Sequence, residues 1–173
     1  KVLHGGLDHG LLIPVVCTAA TRQMGVRQLL HNIAFSGPSP LDRDPFESDT
    51  GPIDADPAGS PVALVFKTSA DPYVGRLTYM RVVRGSVKSD SHLWNANKGI
   101  DERLGTLYVQ RGKEQIAVPE LSAGDIGVVA KLTQTATGDT LGSKDAPVTL
   151  PPIEFPNPVY GMAVTPVSKA GVD

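Results

Sequence analysis

The chain has 173 residues, 40% of them apolar, a formal net charge of −2 and a single cysteine, Cys17. That length suits one main domain with attachments, the near-neutral charge excludes a bulk polyanion binder, and one thiol excludes an internal disulfide framework. No apolar run approaches the roughly 20 residues that span a bilayer and no signal-peptide pattern opens the chain, so the reducing cytosol is the expected, cytoplasmic compartment.

The 18 Gly and 15 Pro suit short strands joined by tight turns better than long helices, and predict a mainly β protein. In chain order, Leu11 to Val16 is a short apolar run that reads as a strand, with Pro14 removing one ladder bond. Val26, Leu29, Leu30, Ile33 and Ala34 recur at helical spacing until Gly37-Pro38, which predicts an amphipathic helix with an ordinary C-terminal stop. His31 sits on that helix as a surface or boundary residue.

Asp42 to Ser60 has no periodicity and is rich in Asp, Pro and Gly, so it reads as a linker lying over a surface. Beyond it, apolar and polar residues alternate from Val62 to Thr68 and from Leu77 to Arg84, the period of half-buried strands. Asp71-Pro72 and Gly75 supply the turn between them. Further strands are predicted over 91–95, 103–111, 114–118, 126–132, 148–150 and 158–164, with turns at Gly85, Asn97-Lys98-Gly99, Ser122 to Asp125 and Thr137-Gly138-Asp139. Strands so spaced favour a closed or nearly closed barrel, which leaves no exposed edges.

Charge is unevenly distributed. Between Asp42 and Asp56 there are six acids and one base, Arg43; between Val62 and Lys113 there are nine bases and four acids. A basic β module behind an acidic linker is compatible with nucleic acid on one face, although charge alone favours a solvated surface of ordinary ion pairs. Enzyme chemistry leaves no mark. There is no G-x-x-x-x-G-K-[ST] run, the Asp of Asn97-Lys98-Gly99-Ile100-Asp101 comes one residue too late for a guanine-reading N-K-x-D, and a turn explains that stretch. His4, His9, His31 and His92 are scattered outside metal-pair or nucleophile-base spacing, no metal site is indicated, and Asp101 and Glu102 point to opposite sides.

Several separated motifs occur in one order. They are Pro38-Ser39-Pro40-Leu41-Asp42, the run from Phe66 to Thr78, Arg81-Val82 with Gly85, Lys98-Gly99 with Glu102-Arg103 and Gly105, Ala123-Gly124-Asp125-Ile126, and Thr137 to Leu141. In that order they resemble the translation elongation factor G family, from about Leu11 to the end of the chain. The resemblance implies a translation-factor domain II type β-barrel, preceded by a strand-helix remnant of the α/β GTPase domain. Residues 1–41 would be that C-terminal remnant of the GTP-binding domain, 42–60 the acidic linker, 61–152 the barrel, and 153–173 a truncated first strand of domain III. Glu154 to Val159 carries the likeness to the start of that third domain.

The family's guanine-supporting segment reads Gly-Ser-Ala-Leu after a Cys, and here Thr18-Ala19-Ala20-Thr21 stands in its place. With Ala19 replacing Ser, only backbone support of a base is implied. This feature and Arg111 to Gln115 resemble the family's divergent elongation factor G-like paralogues. The intact parent is expected to bind GTP with magnesium, dock on the ribosome through small-subunit rRNA and promote translocation. This fragment, without P-loop and switches, is expected to bind no cofactor and hydrolyse nothing. Its barrel would couple the parent's GTPase domain and domain III to the ribosome. Lys67, Arg76, Lys98 and Arg103 are the candidate ribosome or switch contacts; in the competing reading, Arg76 and Arg103 brace turns by pairing with Asp71 and Glu102. An RNA-binding barrel of a paralogue with a non-translocation ribosomal role, and a small barrel enzyme with a convergent polar pocket, remain alternatives. The end segments are expected to satisfy their backbone groups through non-native strand pairing between fragments or against the barrel.

Overall fold

A computed structural model describes residues 5–7, 9–71 and 74–165. Among the described residues, helical residues 5–7, the longer α-helix α1 (Val26–Ser36) and two short 3-10 turns, Ala20–Arg22 and Pro40–Asp42, precede ten strands. The strands are β1 (Val62–Asp71), β2 (Gly75–Arg84), β3 (Ser86–Lys88), β4 (His92–Asn95), β5 (Ile100–Arg103), β6 (Leu107–Arg111), β7 (Glu114–Val118), β8 (Glu120–Ser122), β9 (Ile126–Ala130) and β10 (Thr140–Gly142).

Eight strands form one antiparallel sheet in the order β5-β4-β10-β1-β2-β9-β6-β7, and β3 pairs with β8 in a second. Both sheets share one core: Val65, Met80, Val87, Leu93, Leu107, Leu121, Val129 and Leu141 come from eight different strands and pack together with Leu104 and Leu132. Each such side chain stabilises the fold by roughly 1.5–3 kcal/mol relative to an exposed position. Ser89, just after β3, ties the two-stranded sheet to the β6–β7 end of the larger one. Its amide donates to Pro119 O at 2.8 Å, its hydroxyl donates to Val118 O at 2.8 Å, and that hydroxyl accepts from the Leu107 amide at 2.9 Å. The result is the mainly β barrel that the alternation predicts.

The boundaries differ from the sequence reading in physically explicable ways. The single strand expected over 103–111 is two, β5 and β6, separated where the Leu104 amide donates to Ser91 O at 2.8 Å and Leu104 drops into the core. β3, β8 and β10, three residues each, are too short to show alternation. Residues 148–150 form no strand, because the Leu150 amide donates to the Thr140 hydroxyl at 3.0 Å instead of to a ladder. The runs 11–16 and 158–164 are irregular and largely exposed, with Leu11 at 84% and Val159 at 100%; no neighbour among the described residues offers them a ladder. The tail expected beyond them, 166–173, and Pro72-Tyr73 at the β1–β2 turn lie outside the described residues. α1 forms as its spacing predicts, and it buries none of its residues, leaving Leu30 and Ile33 about 60% exposed.

The linker is more than a tether. Phe46 and Ile53 exchange backbone hydrogen bonds of 2.9 and 2.7 Å, and Ile53 joins Val62, Val83 and Leu150 in a second apolar cluster on the outside of the barrel. Asp49 ties this strap to the segment leaving the barrel: its amide donates to Thr149 O at 3.1 Å, and its carboxylate accepts from the Thr149 amide at 2.9 Å. At the strap's end the Gly85 amide donates to Asp56 O at 2.8 Å; Gly85 has φ +71°, and a Cβ there would lie 2.5 Å from Gly59 O. The strap is thus part of the folded domain. Ile53→Ala is expected to lower the unfolding free energy by about 2–4 kcal/mol in urea denaturation, whereas a loose linker would show no change.

Candidate functional site

The segment expected to support guanine is a tight turn. The Ala19 amide donates to Met24 O at 2.9 Å and the Met24 amide returns a bond of 3.2 Å to Ala19 O, enclosing Ala20–Arg22. Gly25 closes it at φ +73°, where a Cβ would meet Cys17 O at 2.5 Å. Thr18 and Ala20 are exposed, while Ala19 has no hydroxyl and its amide is already used.

Of the four basic candidates, Arg76 and Lys98 converge on the segment between β9 and β10. Arg76 Nη1 donates to Thr133 O at 3.3 Å, and the Lys131 amide donates to Arg76 O at 2.9 Å. Lys98 Nζ donates to the Gln134 carbonyl and sits 3.3 Å from Asp139 Oδ2. Both side chains brace this loop. Lys67 lies apart on β1, exposed, with Nζ 5.3 Å from the centre of the Tyr79 ring. Arg103 ends β5 and is exposed opposite His92, whose Nδ1 is 2.5 Å from Asp101 Oδ2.

The braces surround a buried polar network that pattern reading of the sequence does not identify. Asp101 faces solvent and Glu102 the interior, as alternation requires. Glu102 Oε1 accepts from the Gln134 amide (3.1 Å), the Thr135 amide (2.8 Å) and the Thr135 hydroxyl (2.8 Å), so it caps the loop and serves as no catalytic partner of Asp101. Asp139 Oδ2 accepts from Asn95 Nδ2 and from the Ala136 amide, both at 2.8 Å. Asn95 Oδ1 in turn accepts from the Lys98 amide at 3.1 Å, and Asn97 Oδ1 from the Thr140 amide at 2.7 Å. Burial works to raise the Asp139 pKa, but the Ala136 amide, Asn95 and Lys98 together outweigh it and hold the carboxyl below its ordinary value.

Three of the ordered motifs meet here: Thr68 of the Phe66–Thr78 run bonds Thr137 between hydroxyls at 3.2 Å, and Lys98 and Glu102 reach the turn that contains Asp139. A second meeting joins motifs far apart in sequence. Pro40, in a turn capped by Ser39 and Asp42, lies against Gly124, where a Cβ would stand 2.4 Å from Pro40 Cγ. Among the described residues no helix is long and apolar enough to cross a membrane, and no group of three or more His, Cys, Asp or Glu could hold a metal ion.

Residues 60–144 match the family model described as elongation factor G domain 2. The chain is also similar to a protein of Thermus thermophilus of known crystal structure, with 32% sequence identity and a TM-score of 0.71. That alignment covers 91% of this chain, which spans 22% of the length of the Thermus protein.

A carboxylate whose folded pKa is depressed contributes stability above its unfolded pKa, and loses it as pH falls through the folded value. Asp139 is therefore expected to make the barrel acid-labile below about pH 4. Asp139→Asn should lower the melting temperature at pH 7 and flatten its fall between neutral pH and pH 3; an acid limb as steep as wild type would remove Asp139 from that role.

Proposed function

The chain belongs to the elongation factor G family, its residues 60–144 forming the family's domain 2, and from that premise we propose that it works as the domain 2 region of a ribosomal translocation GTPase. In this reading the barrel couples a GTP-binding domain to the ribosome during translation elongation. The observation that carries it is the family match over the barrel itself. The similarity to the Thermus protein extends beyond the barrel over 91% of the chain, which favours a role joined to flanking domains.

The chemistry assigned to this chain is adhesive. Lys67 and Arg103 present exposed cations on rigid strands, suited to the phosphates of small-subunit rRNA, which position a protein without reading sequence. Arg76 and Lys98 reach phosphate, or a switch of the GTP-binding domain, only with the donors left over from bracing the 131–139 loop. GTP with magnesium belongs to the longer protein in this proposal, and the compartment is the cytoplasm, where ribosomes work. Thr18 and Ala20 would offer backbone contacts to the guanine base; the chain has no phosphate-cradling G-x-x-x-x-G-K-[ST] run of its own.

The Ala19 position favours a second reading, an elongation factor G-like paralogue whose barrel docks on the ribosome for another step, since neither a hydroxyl nor a free amide is present there. Single-turnover tRNA translocation and ribosome-stimulated GTP hydrolysis by the full-length protein separate the two. Translocation at elongation rates supports the first, and hydrolysis without translocation the second. For the docking surface, Lys67→Glu and Arg103→Glu are expected to weaken small-subunit binding, each lowering the slope of log affinity against log salt by about 0.9 for every phosphate it ceases to engage. Binding unchanged across the salt series would remove both residues from the docking surface.

A further inference from the structure

The register of the large sheet places five residues in one line across β1, β2, β9, β6 and β7: Lys67 opposite Tyr79, Tyr79 opposite Val128, Val128 opposite Tyr108, and Tyr108 opposite Ala117. The adjacent line, Thr78, Val129, Leu107 and Val118, turns toward the core. Alternation therefore sends the first line to the outer face. Its middle residue is only 1% exposed although it faces outward, while the flanking Tyr79 and Tyr108 are half-buried. Two tyrosines thus lie on either side of a covered Val128, and Lys67 holds its ammonium over one ring. Phe66, displaced by a bulge between Val65 and Lys67, adds a third ring 6.3 Å from Tyr79.

The two flanking lines, Leu64–Arg81–Ile126 and Ser69–Leu77–Ala130, contain no carboxylate. The central outer face is therefore aromatic, apolar and cationic, and Ile126 is 53% exposed beside it. A face of this kind is poorly matched to a duplex, whose bases are hidden. It suits unpaired nucleotides, whose bases stack on rings while their phosphates meet Lys67. An acidic protein surface would meet the same charge, but would leave its carboxylates against two rings.

We propose that the outer face centred on Tyr79 and Tyr108 is a stacking platform for unpaired RNA bases, with Lys67 engaging the adjoining phosphate. This deepens the ribosome-docking reading and rests on it, in that the natural ligand would be an exposed, unpaired stretch of ribosomal RNA. It differs from contact with helical backbone, which needs cations but no rings.

The test uses the 173-residue chain and a fluorescently labelled oligoadenylate of about 12 nucleotides, within the span a barrel of this size covers, with the matching duplex as comparison. Anisotropy is expected to show preference for the single strand. Tyr79→Ala and Tyr108→Ala should each weaken it by about 5- to 100-fold, whereas Tyr79→Phe and Tyr108→Phe keep it, since stacking needs the ring and not the hydroxyl. Tyr79→Leu covers Val128 without a ring and should bind as weakly as the alanine variant, with thermal unfolding confirming that it folds. Lys67→Gln should lower the single-strand salt slope by about 0.7. Equal affinity for single strand and duplex, or leucine and alanine variants that bind as wild type, overturns the platform. If the oligoadenylate is not bound while isolated small subunits still are, the platform falls and the docking reading stands. If the oligoadenylate is bound by the rings but small subunits are not, the platform stands and the docking reading falls. Tyrosine variants that lose small-subunit binding yet retain the oligoadenylate assign the face to a ribosomal protein, and also overturn it.

Discussion

The barrel depends on two buried carboxylates. Between β9 and β10 the chain crosses the end of the barrel without regular structure, so its amides have no ladder to join, and buried amides without partners are costly. Glu102 accepts from two of them and from the Thr135 hydroxyl, and Asp139 accepts from a third and from Asn95. Lys98 supplies the counter-charge. A neutral acceptor in the place of Asp139 would make weaker bonds to the same donors, because an ionised acceptor roughly doubles the strength of a hydrogen bond. The loop is thereby fixed, and β10 can pair between β1 and β4 over the shared core.

That arrangement changes the meaning of the basic residues. Arg76 and Lys98 stand in the basic half of the chain, yet their nearest partners are carbonyls of this loop. Position in a basic stretch is one property and availability of the charge is another. Lys67 and Arg103 keep theirs exposed because they sit at strand positions turned to solvent. The outer face inherits its character from the same alternation, since every core residue on β2 and β9 obliges its neighbours to point away.

Much of the fold was legible in the residues. Alternation from Val62 to Lys67 and from Leu77 to Val83 located β1 and β2, and the spacing of Val26, Leu29, Leu30 and Ile33 located α1. Glycines at 85, 99, 124 and 138 marked turns and all four adopt positive φ. Strands of three residues left no such mark. The apolar runs near Leu11 and Val159 have strand-like composition, and composition alone supplies no neighbour with which to pair. For the site, the candidate bases could be named but not sorted, because bracing is decided by carbonyls that arrive from 36 to 57 residues away. The Asp42–Ser60 segment had the composition of a linker, and Ile53 with Phe46 in the outer apolar cluster, together with the backbone bonds of Asp49 and Asp56, makes it part of the fold.

The Asp49–Thr149 pairing carries a mechanical consequence. It joins positions 100 residues apart in the chain, one before the barrel and one after it. Tension applied between the flanking segments is borne first by this clamp and by the small apolar cluster beside it, and the barrel strands are spared. The module is accordingly loaded like a bead whose thread enters and leaves through one knot. Pulling on its neighbours turns it as a rigid body before it stretches it.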